Sequence, residues 1–126
     1  MIIYLSGKIT GTTDYEDRFK DAEIELRKLG HIVINPVEIG KALEQSVPFD
    51  LWHDDYMAID LHFLKRADAI YLLKGYENSM GAREEHTKAV AWGKSVYFEE
   101  DRTNELGEVR DGLKEYLAEN YVEGAE

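Results

Sequence analysis

The feature that most constrains this chain is the regular succession of short apolar runs and longer amphipathic segments, punctuated by glycine, proline and asparagine. Ile2 to Leu5 is an apolar run ended by Ser6-Gly7, the length and content of a buried strand. Behind it, Tyr15, Phe19, Ala22, Leu26 and Leu29 recur at helical spacing, so a helix is predicted with Asp14 as its cap and Gly30 as its stop. His31 to Asn35 reads as a second strand stopped by Pro36, and Val37 to Gln45 as a short helix. Trp52, Tyr56, Ile59 and Phe63 mark a further helix that ends near Arg66. Ala69 to Leu73 is the third strand, Gly81 to Trp92 the next helix and Ser95 to Phe98 the fourth strand, with a last helix between Glu108 and Tyr121. Strands that alternate with helices pair in parallel through crossovers. The expected fold is therefore a three-layer α/β sandwich around a parallel, flavodoxin- or Rossmann-like sheet of four to five strands. Residues 1–126 are read as one domain whose acidic carboxyl-terminal helix and tail begin near residue 99.

Composition removes several function classes. The chain has no cysteine, which excludes thiol nucleophiles, disulfides and Cys-ligated zinc. Histidines 31, 53, 62 and 86 show neither HxxxH nor HExxH spacing, so no metal site is expected, and no cofactor. The first residues lack a basic leader region and no apolar run reaches membrane-spanning length, so a soluble, cytoplasmic protein without a membrane partner is expected. Net charge is −11, which repels a phosphate backbone and argues against duplex nucleic acid. From Glu99 to Glu126 ten acidic residues face three basic ones, a net of −7 that leaves −4 for the first 98 residues. A small anion can still find a local pocket there.

In open α/β sheets, ligands sit beyond the carboxyl ends of the strands, where strand order reverses. That rule selects SGKITGT, NPVE and KGYENSMGAREE. SGKITG sets two glycines and a lysine between strand and helix, as a phosphate loop would, yet it matches neither GxxxxGK[ST] nor GxGxxG. Spacing alone slightly favours a plain glycine turn with a solvated lysine, and a pocket-lining role for Tyr4, Gly7 and Lys8 rests on location at a strand's carboxyl end. Ser79-Met80-Gly81 offers a hydroxyl and free N–H groups at a helix start, the usual means of holding an anion. Simple capping by Ser79 or Asn78 is the alternative.

Two adjacent carboxylates in SMGAREEHTKAVAWGKSVYF differ in face. Glu85 shares its side of the helix with Gly81, Ala89 and Trp92, the stripe that should meet the sheet. Glu84 lies four residues before Lys88 and suits a surface ion pair. An inward carboxylate beside a binding crevice is a candidate nucleophile or general base, and most glycosyl chemistry needs a second one. Asp60, bordering the apolar face of its helix, is the best partner. Asp54 and Asp55 read as helix-start charges, and Asp68 as a turn into the third strand. By spacing alone, a paired-carboxylate site and a well-capped α/β domain without one both remain open.

IYLSGKITG, YMAIDLHFLKRADAIYLL and NSMGAREEHTKAVAWGKSVYF follow in the order and spacing of the nucleoside 2-deoxyribosyltransferase-like superfamily, which the chain resembles over residues 1 to 99. That group includes deoxyribosyltransferases, 2′-deoxynucleoside 5′-monophosphate N-hydrolases and a small branch of bacterial and phage proteins. The resemblance implies that Glu85 is the catalytic glutamate that attacks C1′ of deoxyribose to form a covalent glycosyl-enzyme, and that Asp60 works beside it near the sugar and departing base. It places Ser79 at a serine that binds the 5′-phosphate in the hydrolases, and Tyr4 and Gly7 on the first-strand site loop. Lys8 and Thr10 stand where the hydrolases carry a serine and an arginine, so phosphate recognition is implied in altered form. The transferases' acidic residue near Ser79 is missing, and YVEGAE shows no recognisable match to their carboxyl-terminal site contribution.

The expectation is an N-glycosidase acting on a small-molecule nucleotide or nucleoside, with Glu85 ionised by the positive end of its helix. A deoxyribosyltransferase and a catalytically silent nucleotide-binding or interaction module are the alternatives. The resemblance also implies a homodimer or a dimer of dimers, and the Trp52, Tyr56, Met57, Ile59 and Phe63 band supplies an apolar surface for it.

Overall fold

A computed structural model describes residues 1–100. Four strands and four principal helices follow in the order β1 (Ile2–Ser6), α1 (Tyr15–Lys28), β2 (Ile32–Ile34), α2 (Pro36–Ser46), α3 (His53–Arg66), β3 (Ala69–Leu72), α4 (Met80–Ala91) and β4 (Ser95–Phe98), with a 3-10 turn at Tyr76–Asn78. The strands form one parallel sheet in the order β2-β1-β3-β4. β1 is central, and the strand order reverses between β1 and β3. The predicted helix between Glu108 and Tyr121 lies outside the described residues.

Period-two alternation decides which residues meet which layer. Ile3, Leu5, Val33, Ala69 and Tyr71 turn to one side and pack with Phe19, Ala22 and Leu26 of α1. Tyr4, Ile70 and Leu72 turn to the other and pack with Leu64 of α3 and Ala82 and Ala89 of α4. Helices thus cover both faces, as a buried parallel sheet requires.

Local chemistry sets the element ends. Gly30, at φ 92°, closes α1; its N–H bonds to Arg27 O and that of His31 to Leu26 O, the paired closure that a left-handed glycine allows. Asp14 precedes α1 without capping it, because its carboxylate is engaged by Arg18 Nε at 3.2 Å. Pro36, predicted only as a strand stop, opens α2 at its first position, where its missing N–H costs nothing. Asn35 caps that helix by accepting from Val37 N at 3.0 Å. Asp55 accepts from Trp52 N at 2.8 Å at the start of α3. Asp68 does more than turn the chain: its carboxylate accepts from Ile2 N at 2.7 Å, pinning β1 to the entry of β3. No helix among the described residues is long and apolar enough to cross a membrane.

Candidate functional site

The carboxyl ends of β1, β2 and β3, with the first turns of α1 and α4 and the walls of α2 and α3, enclose a cavity of about 750 Å³. Small-molecule sites run from roughly 300 to 1,000 Å³, so the cavity has the size of a small-molecule site. Gly7, Lys8, Asp60, Ser79, Gly81 and Glu85 all line it. The topology therefore brings together six of the seven residues singled out from sequence, from β1, α3 and α4.

Tyr4 is the exception, and its assignment as a lining residue is corrected. It is fully buried beneath the cavity, and its hydroxyl donates to Glu85 Oε2. Ser6, overlooked in the sequence, donates to Glu85 Oε1 at 2.7 Å. The signal was present in the pleat: residues i and i+2 of a strand share a face, so a helix residue that meets Tyr4 can also meet Ser6.

Glu85 itself is 6% exposed. Burial pushes its carboxyl up to about 7; the Tyr4 and Ser6 hydroxyls oppose that rise, and the charges of Asp60 and Glu84 add to it. The expectation that the helix end keeps Glu85 ionised is thus corrected. Glu85 is the sixth residue of α4, beyond the first turn where the dipole acts, and desolvation is the larger effect. Asp60 on α3 is likewise pushed up to about 7 by burial. Tyr4 is held well above the ordinary phenol range, first by burial and then by the charges of Glu85 and Asp60, so it remains a neutral donor. Glu84 is exposed and, among the described ion pairs, does not form the one predicted with Lys88.

Around this pair, Gly7 permits a close crossing, since a Cβ there would come within 3.1 Å of Leu73 Cβ and 3.3 Å of Phe19 Cζ. Arg18 donates to Lys8 O at 2.9 Å and steadies the loop after β1. Ser79 caps α4 by accepting from Ala82 N at 3.1 Å, while the N–H groups of Met80 and Gly81, in the first turn, have no intrahelical acceptor. Tyr56 and Met57, read from sequence as part of an interface band, line the cavity; Tyr56 donates to Glu44 of α2 at 2.7 Å. Lys41 of α2 pairs with Glu16 of α1 at 3.6 Å across the rim. No cluster of three or more metal-ligating side chains occurs among the described residues.

Residues 1–98 match the model of a family described as "Domain of unknown function (DUF4406)". Among solved structures, the fold is similar to that of a 2-deoxyribosyltransferase from the psychrotolerant bacterium Bacillus psychrosaccharolyticus, described as a biocatalyst for the synthesis of antiviral and antitumoral nucleosides. The two are 24% identical, with 78% of this chain and 71% of that one covered and a TM-score of 0.59, a likeness of fold. No curated protein matches the chain.

Proposed function

We propose that this chain, which belongs to the DUF4406 family across residues 1–98, is an enzyme: an N-glycosidase that cleaves the bond between base and sugar of a deoxynucleotide or related nucleotide. The observation that carries this reading is the pairing of Glu85 and Asp60 in one cavity, both pushed by burial to about 7. Retaining glycosyl transfer uses one carboxylate to attack and another group to assist departure of the leaving group.

Their partners separate the roles. Glu85 accepts two hydroxyl hydrogen bonds, which favour its anion. Asp60 accepts none among the described residues, so when the pair holds one proton it resides on Asp60. An ionised Glu85 oxygen bonds to C1′ as the C1′–N bond breaks; the electron pair leaves with the base, which takes the Asp60 proton. Water then attacks C1′, gives a proton to Asp60 and releases the Glu85 carboxylate, with net retention. Lys8, the Ser79 hydroxyl and the opening N–H groups of α4 receive the 5′-phosphate.

Transfer to a second base is a competing reading, favoured by the likeness in fold to a 2-deoxyribosyltransferase. Incubation with a deoxynucleoside and a free acceptor base separates the two. The decisive experiment is base release across a panel of nucleosides and their mono- and polyphosphates. Glu85→Ala should lower release by roughly 10³-fold or more without unfolding the protein, while Glu84→Ala stays close to wild type. Equal losses from both, or none from Glu85→Ala, would sink the nucleophile assignment, and a wild type that binds nucleotides without releasing base would leave a catalytically silent binding module.

A further inference from the structure

We propose that Ser6 is a positioning residue for Glu85: its hydroxyl, fixed at the last position of β1, holds Oε1 so that the nucleophile is aimed by two donors on one strand. The catalytic sense of this assignment rests on the functional reading above; the contact itself does not.

Ser6 is 1% exposed and stands opposite Leu72 in the β1–β3 register. Tyr4, Ile70 and Leu72 share its face of the sheet. An apolar side chain would fill that place, and a buried hydroxyl there is unfavourable unless it is bonded. Its partner is the Glu85 carboxylate at 2.7 Å. Tyr4, two residues earlier, takes the other oxygen. With one donor on each oxygen, rotation of the carboxylate about its terminal torsion costs a hydrogen bond, and β1, paired on both sides, gives the donors little freedom to follow.

The charged surroundings make this second donor matter. Asp60 of α3 and Glu84 of α4 both oppose the Glu85 anion; Lys8, Lys41 and His53 also line the shared cavity, with Glu16 and Glu44, and Lys41 is paired with Glu16. Tyr4 and Ser6 are the two groups that favour the anion by direct bonds. Losing one removes a charge-assisted bond, which is stronger than a neutral one.

Carbon-13 NMR titration of the Glu85 carboxyl, in protein free of ligand, tests the contact independently of turnover. In Ser6→Ala its midpoint should rise by about one pH unit, and Ser6→Cys, which keeps a weaker donor in place, should fall between the two. In the base-release assay, kcat/KM of Ser6→Ala should drop by about 10-fold at pH 6 and by less than about 3-fold at pH 8.5, where the carboxylate is ionised in both proteins. A spacer role alone would lower kcat/KM by one factor at every pH. An unchanged midpoint in Ser6→Cys and Ser6→Ala, or a parallel pH profile, would overturn the proposal. A wild type that releases no base would overturn the functional reading instead, and the NMR midpoints would still decide the coupling. Should Ser6→Ala fail to fold, Ser6→Cys decides it.

Discussion

Replacing Asp60 by Asn should stabilise the protein above neutral pH while impairing the proposed chemistry. Asp60 makes no hydrogen bond among the described residues, and burial pushes its carboxyl from an ordinary 3.8 up to about 7. Between those values the folded protein holds a proton that the unfolded chain has released. The stabilising effect of that proton is fully present below about pH 3.8 and is lost as pH rises through about 7. Each unit is worth about 1.4 kcal/mol, so the full shift corresponds to roughly 4 kcal/mol as an upper bound. The side chain is only partly buried, and solvent screening reduces the gain expected from Asp60→Asn at pH 8.5 to about 2–4 kcal/mol, or on the order of 10 °C in Tm for a chain of this length. Urea titrations of both proteins from pH 4 to 8.5 measure it: the difference should be small at about pH 4, grow between about pH 4 and 7, and level off above. Asn is nearly isosteric, so a cavity or lost contact cannot mimic that pH dependence. A difference that is flat in pH, or a variant less stable than wild type at pH 8.5, would refute the reasoning.

Glu23 carries the opposite sign. Burial alone would raise its carboxyl, but hydrogen bonds from Asn35 and Arg27 hold it below the usual range. Its stabilising effect is present above the unfolded value and lost as pH falls through the folded one, so Glu23→Ala should cost about 1–3 kcal/mol at pH 7 and less in acid, as urea titration would record. A 5′-monophosphate should bind more tightly than its nucleoside, with the advantage shrinking in added salt and in Lys8→Ala; calorimetry giving equal affinities would remove the phosphate role. We also expect a homodimer or dimer of dimers, with Phe49 and Trp52, 63% and 76% exposed, at the contact. Light scattering at micromolar concentration should show assembly that Trp52→Glu disrupts, and an unchanged oligomer would place the contact elsewhere.

Order and type of the strands and principal helices from β1 to β4 were legible in the sequence because they follow from neighbours a few positions apart: the helical spacing behind Phe19, the left-handed stop at Gly30, the cap at Ser79. The starts of α1 and α2 were not, since Asp14 bonds to Arg18 instead of capping and Pro36 opens its helix. The inward face of Glu85 was legible for the same reason, as was the choice of Asp60 at the border of an apolar stripe. What the tertiary structure decided depends on residues far apart. The order β2-β1-β3-β4 puts the strand reversal beside β1, and only then does a residue of α4 lie over Tyr4 and Ser6, 81 and 79 positions away. That register took Tyr4 out of the cavity wall and made Ser6 a partner of the carboxylate. It also turned Tyr56 and Met57, a surface band by pattern, toward the cavity. Ionisation was beyond the sequence too: helix position argued for an anion at Glu85, whereas the water excluded by the assembled layers pushes both it and Asp60 up to about 7. Desolvation comes from everything packed around a group at once, and no local spacing encodes it.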